Sequence, residues 1–174
     1  MERAGVSIGT LYQYFPNREA LIARLIETHV DGLVTTVGKA LKDNIRATPE
    51  ELLRAVIRAS IEAHRVEPEL HKVIIEQVPR EGYLAEALGL SRRLSLMLHD
   101  ELQRRFKGLP VSRLRMVAFM LETTIEALTH RAVIEGPSWL KTGELESEAV
   151  RLLVPYLAEV SDRSGAAEGL ALGA

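Results

Sequence analysis

The sequence predicts an all-α chain, and three features predict it. Apolar residues recur at steps of three and four over most of the 174 residues, the spacing of a helix with one buried face. Six of the seven prolines fall at the ends of these stretches, where a missing N–H and a fixed φ do least harm. No apolar–polar alternation is long enough for a strand, and no internal repeat is present. Val73-Ile74-Ile75 has the composition of a buried strand, but nothing is available to pair with it.

The elements follow in order. Gly5 supplies a tight turn, and Ser7 caps a short helix by accepting a hydrogen bond from a backbone N–H two or three residues on. Ile8, Leu11 and Phe15 share its inner face, Pro16 stops it, and Asn17 caps the next helix. Residues 18–45 read as one long helix with Ile22, Leu25, Ile26, His29, Leu33, Val37 and Leu41 turned inward. Thr48 caps a helix over 49–66, with Pro49 at its first position and Glu50 and Glu51 at its positive end. Glu67-Pro68 breaks the chain before a short helix to about residue 77, and residues 78–82 form a loop. A helix over 84–107 carries Leu88, Ser91, Leu94, Met97, Leu98, Leu102 and Phe106 on one side, and Gly108-Leu109-Pro110 ends it. A helix over 112–135 follows, then a break at Gly136-Pro137, then a last helix over 144–160 that Pro155 bends rather than ends. Residues 161–174, rich in Gly and Ala, are expected to be a disordered tail.

Composition narrows the function classes. With 47% apolar residues the chain can fill one sizeable core. A net charge of −2 gives no general attraction to nucleic acid, and Arg3, Arg18 and Arg24 are balanced by Glu2, Glu19 and Glu27. There are no cysteines, hence no disulfides and no thiolate metal or redox chemistry. The absence of a basic-then-apolar leader and of any apolar run of membrane-spanning length leads to the expectation of a cytoplasmic chain with no membrane partner.

The most specific stretch is AGVSIGTLYQYFPNREAL, residues 4–21. Small residues, Gly9 and Thr10, let this helix approach a DNA groove closely, while the phenols of Tyr12 and Tyr14 and the guanidinium of Arg18 reach phosphates. In its pattern AGVS-x-G-TLY-x-YF, followed by a basic residue and EAL, the chain resembles the TetR/AcrR family of bacterial repressors. The resemblance implies a partial helix-turn-helix and connecting helix over 1–45, and a helical ligand-binding and dimerisation domain over 46–160. It implies a ligand-responsive DNA-binding regulator, a repressor, that pairs with itself and answers to a small-molecule effector not identifiable from the sequence. By the same resemblance Ser7, Gly9, Thr10, Tyr12, Tyr14 and Arg18 meet operator DNA. Only four residues precede the turn at Gly5, so the bracing helix of a complete motif is missing and operator binding is expected to be impaired until one is restored. The alternative is a dimeric interaction or ligand-binding protein that does not bind DNA.

The helix over 112–135 is apolar on two faces and must be covered twice. In the family the last two long helices pair with those of a second copy. The denser stripe, Leu114, Val117, Leu121, Ile125 and Leu128, is therefore expected at the dimer interface with Leu145, Leu152 and Tyr156. The opposite face, Met116, Phe119 and Thr123, is expected to line a ligand pocket with His64 and Met97.

Catalytic and metal signals do not hold together. Gly5-Val6-Ser7-Ile8-Gly9 matches a nucleophile elbow but has no preceding strand to hold the strained turn. Glu122, Glu126 and His130 stand at i, i+4 and i+8, yet no E-x-x-H or H-E-x-x-H partner completes a metal site, and the row reads as a solvated face. His64 and His71 are separated by the break at Glu67-Pro68 and read as partly buried polar residues, His64 also as pocket lining. The later glycines are too scattered to cradle a phosphate. No catalytic residue, metal or cofactor is expected.

Overall fold

A computed structural model of the chain describes residues 8–66, 68–77 and 84–171. Among them are eight helices and no strand: α1 (Ile8–Tyr14), α2 (Arg18–Asp43), α3 (Pro49–Val66), α4 (Pro68–Gln77), α5 (Leu84–Arg105), α6 (Val111–Glu135), α7 (Trp139–Thr142) and α8 (Glu144–Ala171). Ser7 and the expected loop at 78–82 lie outside the described residues.

The local signals act as their chemistry requires. Asn17 is extended and accepts a hydrogen bond from the Ala20 N–H at 2.8 Å, starting α2 just after Pro16. Thr48 and Glu51 form a reciprocal capping box: the Glu51 N–H donates to the Thr48 hydroxyl at 3.2 Å, and the Thr48 N–H donates to the Glu51 carboxylate at 2.7 Å. The Thr48 N–H, and after it the Thr48 hydroxyl, hold the Glu51 carboxyl below its ordinary range. Val73 lies within α4 and is exposed, so the strand-like trio is helical. Between α6 and α8 the chain makes one further turn, α7, which the break at Gly136-Pro137 concealed. Gly136 permits it, because a Cβ there would stand 2.4 Å from the Trp139 ring, and Gly143 ends it with φ +80°. α8 continues through Pro155 to Ala171, so residues 161–171 are helical rather than a disordered tail.

The helices share one main core. α5 packs along α6, α2 along α3, and α3 against α8, while α4 closes over α6 and touches α2 and α3. Leu33, Val37, Val56, Ile57, Leu98, Leu114, Val117, Leu121 and Leu157 fill the centre. A second, smaller cluster joins Ile22 and Ile26 on the first half of α2 to Leu70 on α4.

The two faces of α6 are exchanged relative to expectation. Leu114, Val117, Leu121 and Ile125 are buried within the subunit, and Leu128, Leu145 and Tyr156 pack against the same core, so this stripe is not a free interface. Met116 and Phe119 are 52% and 53% exposed, and Thr123 is exposed too; they line no interior pocket. The reason is area: the denser stripe buries more apolar surface when turned toward α3, α5 and α8. Leu152, by contrast, is 58% exposed. Met97 also leaves the expected pocket, since its Cε packs over Gly38 of α2, 3.0 Å from where a Cβ would stand.

A buried ion pair fixes the end of α2. Glu101 is buried on α5 and accepts from Arg105 Nε at 2.7 Å and from the exposed Arg104. Arg105 also donates to the carbonyls of Asn44 at 3.0 Å and Ile45 at 3.1 Å, and to that of Ala47. One guanidinium thus satisfies carbonyls at the α2 C-terminus and ties them to α5. Arg105→Ala strands a buried carboxylate and is expected to cost about 3–5 kcal/mol in chemical denaturation. Arg104→Ala, removing an exposed partner, is expected to cost under about 1 kcal/mol. Equal losses would show that the clamp is not what holds this end.

Candidate functional site

Histidine is uncommon in this chain, five in 174 residues, and four of the five meet in one place. His29 comes from α2, His64 from α3, His71 from α4 and His130 from α6. Ring centroids lie 4.1 Å apart for His64–His71, 4.4 Å for His29–His71, 4.8 Å for His71–His130 and 5.2 Å for His64–His130. His64 and His71 are buried, His29 and His130 partly so. The break at Pro68 makes the closest contact possible. Seven residues of unbroken helix would set two side chains about 10 Å apart along the axis. With α3 ending at Val66 and α4 beginning at Pro68, the ring of His71 instead lies against that of His64.

Burial keeps the rings of His64, His71 and His130 neutral. Desolvation, then repulsion from His130, brings His64 down to about 3. Desolvation, then His29, brings His130 down to about 4, and His71 is lowered by burial and all three neighbouring imidazoles. Since a carbonyl can only accept, His64 Nδ1–H donates to the Ser60 carbonyl at 2.6 Å, leaving the lone pair on Nε2.

A second polar group lies beside the first. Ser91 of α5 donates its hydroxyl to Glu122 at 2.7 Å and stands 3.4 Å from Glu126, both on α6. Burial pushes Glu122 up to about 7, with repulsion from Glu126 adding to it, and burial raises Glu126 as well. Near neutral pH the pair therefore shares a proton. His64, Glu122 and Glu126 line one cavity with Leu33, Leu94 and Thr129, of about 30 Å³. That is room for a water or two, whereas organic ligands occupy sites of about 300–1,000 Å³.

Only His64 of the expected pocket residues reaches this interior; Met97, Met116, Phe119 and Thr123 do not. The row Glu122–Glu126–His130 is not a solvated face but lies in the interior where the helices meet, with Ser91 donating to Glu122. The available signal was positional. His29 sits in the stripe Ile22-Ile26-Leu33, and His64 follows Ile57 and Ile61 at helical spacing, so each occupies an inward position. At the other end of α2, the α1 residues Gly9, Thr10, Tyr12 and Tyr14 are exposed, and Arg18 opens α2 on the surface.

The Glu122 shift has a testable sign. Its folded pKa lies above the unfolded value of about 4.5, so the folded state holds the extra proton between those two values. The resulting stability is complete below about pH 4.5 and is lost as pH rises through about 7. Glu122→Gln cannot lose it. From pH 5 to pH 8, urea denaturation should show the variant gaining roughly 1–3 kcal/mol on the parent chain, a difference in which histidine titration cancels. A constant difference between the two pH values would contradict the shared proton.

The chain was compared with known proteins on this geometry. The pattern described as "Tetracyclin repressor-like, C-terminal domain" matches residues 48–157, which hold three of the four clustered histidines and both glutamates. The pattern described as "Bacterial regulatory proteins, tetR family" matches residues 1–25. The chain is similar to the HTH-type transcriptional activator FasR of Mycolicibacterium smegmatis, 29% identical over 118 residues, covering 67% of this chain and 53% of that protein. It thus spans about half the length of that relative.

Proposed function

The chain belongs to the TetR family of bacterial regulatory proteins, and from that membership we propose that it acts as a dimeric, effector-responsive regulator of transcription. The observation that carries this reading is the outward face of α6 and α8. Met116, Phe119 and Met120 on α6 and Leu152 on α8 are 44–58% exposed, and Thr123 and Ala127 extend the α6 row at helical spacing. Large apolar side chains grouped this way on two neighbouring helices mark a surface that is covered in use. A second copy of the chain, joining α6 and α8 to their counterparts, is the occupant that family membership favours.

Within such a dimer α2 links effector to operator. Its C-terminal end is clamped to α5 by Arg105, its middle carries His29, and its first residue, Arg18, stands three residues beyond the end of α1. A displacement of α2 changes the separation of the two α1 helices. Operator half-sites read by a two-fold dimer stand about 34–36 Å apart, so a small change in separation alters DNA occupancy. The family description is that of a repressor and the relative is an activator, and this geometry serves either sign. Among the described residues no helix is long and apolar enough to cross a membrane.

Two expectations test the reading. Phe119→Glu with Leu152→Glu should convert a dimer to monomers in sedimentation velocity, since an interface of this type buries on the order of 2,000 Å² and tolerates no paired charges at its centre. A monomer without any substitution would contradict it. On operator DNA, Tyr12→Ala and Arg18→Ala should weaken binding about equally across related sequences, and Arg18→Ala should lower the salt slope by about 1. Weakening confined to one base position would assign these residues to base readout instead.

A further inference from the structure

We infer that His64, His71 and His130, with His29 beside them, form a binding site for one divalent transition-metal ion of the zinc type. One ring nitrogen from each of the first three lies within 4.8 Å of the other two, on three different helices. Tetrahedral zinc, with Zn–N bonds of about 2.0–2.1 Å, needs nitrogens about 3.4 Å apart, so the set closes by side-chain rotation and a small approach of the helices.

The donors are prepared for an ion. His64 gives its Nδ1 proton to the Ser60 carbonyl, as metal-ligating histidines give theirs to an outer partner, and its Nε2 is buried without a hydrogen-bond partner. Both ring nitrogens of His71 are likewise buried without one. Buried polar atoms are rarely left so, and three in one cluster call for an explanation that an ion supplies. An all-imidazole set suits zinc, nickel, cobalt or copper and does not suit magnesium or calcium. The carboxyls of Glu122 and Glu126 line the same cavity as His64. The 30 Å³ cavity is too small for an organic effector, whereas an ion held by these rings needs no larger space.

Closing the set draws α4 toward α3 and α6. α4 carries Leu70, which packs on Ile22 and Ile26 in the half of α2 next to α1. The ion would therefore reposition the segment that places α1. That effector role rests on the regulator reading above; the binding of the ion does not.

The test uses the full chain, free of any affinity tag and treated with chelator. Cobalt(II) titration should show one equivalent bound with the visible ligand-field bands of tetrahedral nitrogen coordination. Zinc should displace it and raise the melting temperature. His64→Ala and His71→Ala should each weaken zinc binding by at least about 100-fold, since loss of even an outer-shell partner costs 10–100-fold. His99→Ala, at the histidine outside the cluster, should leave it unchanged. Should a cluster variant fail to fold by circular dichroism, zinc-edge X-ray absorption on the unsubstituted chain decides, with a nitrogen-rich shell including imidazole scattering expected. No uptake at micromolar zinc, an oxygen-rich shell, or a folded His71→Ala chain with full affinity would overturn the site. Operator binding that ignores zinc in a chain that holds it would overturn the effector role.

Discussion

The constraint on which this structure turns is the cost of burying polar groups. Four imidazoles and two carboxyls occupy the seam where α2, α3, α4 and α6 meet, and such groups are tolerated inside a protein only if neutral, hydrogen-bonded or ligated. Ser60 and Ser91 answer part of that demand, and the protons held by Glu122 and left off the rings answer more. What remains is concentrated on His64 and His71, at the contact that Pro68 creates. A ligand that binds imidazole nitrogen at this seam would satisfy buried atoms that the protein leaves without a partner.

The distribution of restraints along α2 gives that seam a mechanical consequence. The C-terminal half of the helix lies in the main core and is anchored through Arg105 to α5. The N-terminal half rests on a smaller cluster whose partner is Leu70 of α4. Apolar area buried is roughly proportional to restraint, so the half nearer α1 is the more easily shifted. Its one described apolar support across the seam, α4, is also the helix that bears His71. On the function proposed above, effector binding and α1 placement would meet in a single ten-residue element.

Most of the fold was legible because helix signals are local. Asn17, the Thr48–Glu51 box and the prolines set helix ends to within a few residues, and the stripe on α2 named its buried positions. Direction was not legible. α6 has two apolar faces, and a single helix does not say which one meets its own subunit; only the surface offered by α3, α5 and α8 decides that Leu121 goes in and Phe119 out. The histidine cluster was hidden for a related reason. Its members are separated by 35, 7 and 59 positions on four helices, so no spacing motif records it, and the break at Pro68, read as separating His64 from His71, is what joins them. α7 and residues 161–171 show the remaining weakness, since Gly-rich composition suggests an end where the chain continues as helix.

The measurement that bears most directly on the account is an anomalous difference map at the zinc edge, from crystals of the tag-free chain grown with zinc. The expected result is one strong peak per subunit within bonding distance of ring nitrogens of His64, His71 and His130, with α4 drawn toward α6. Crystals whose anomalous peaks lie only on surface carboxylates, with the buried imidazoles unmoved, would contradict it.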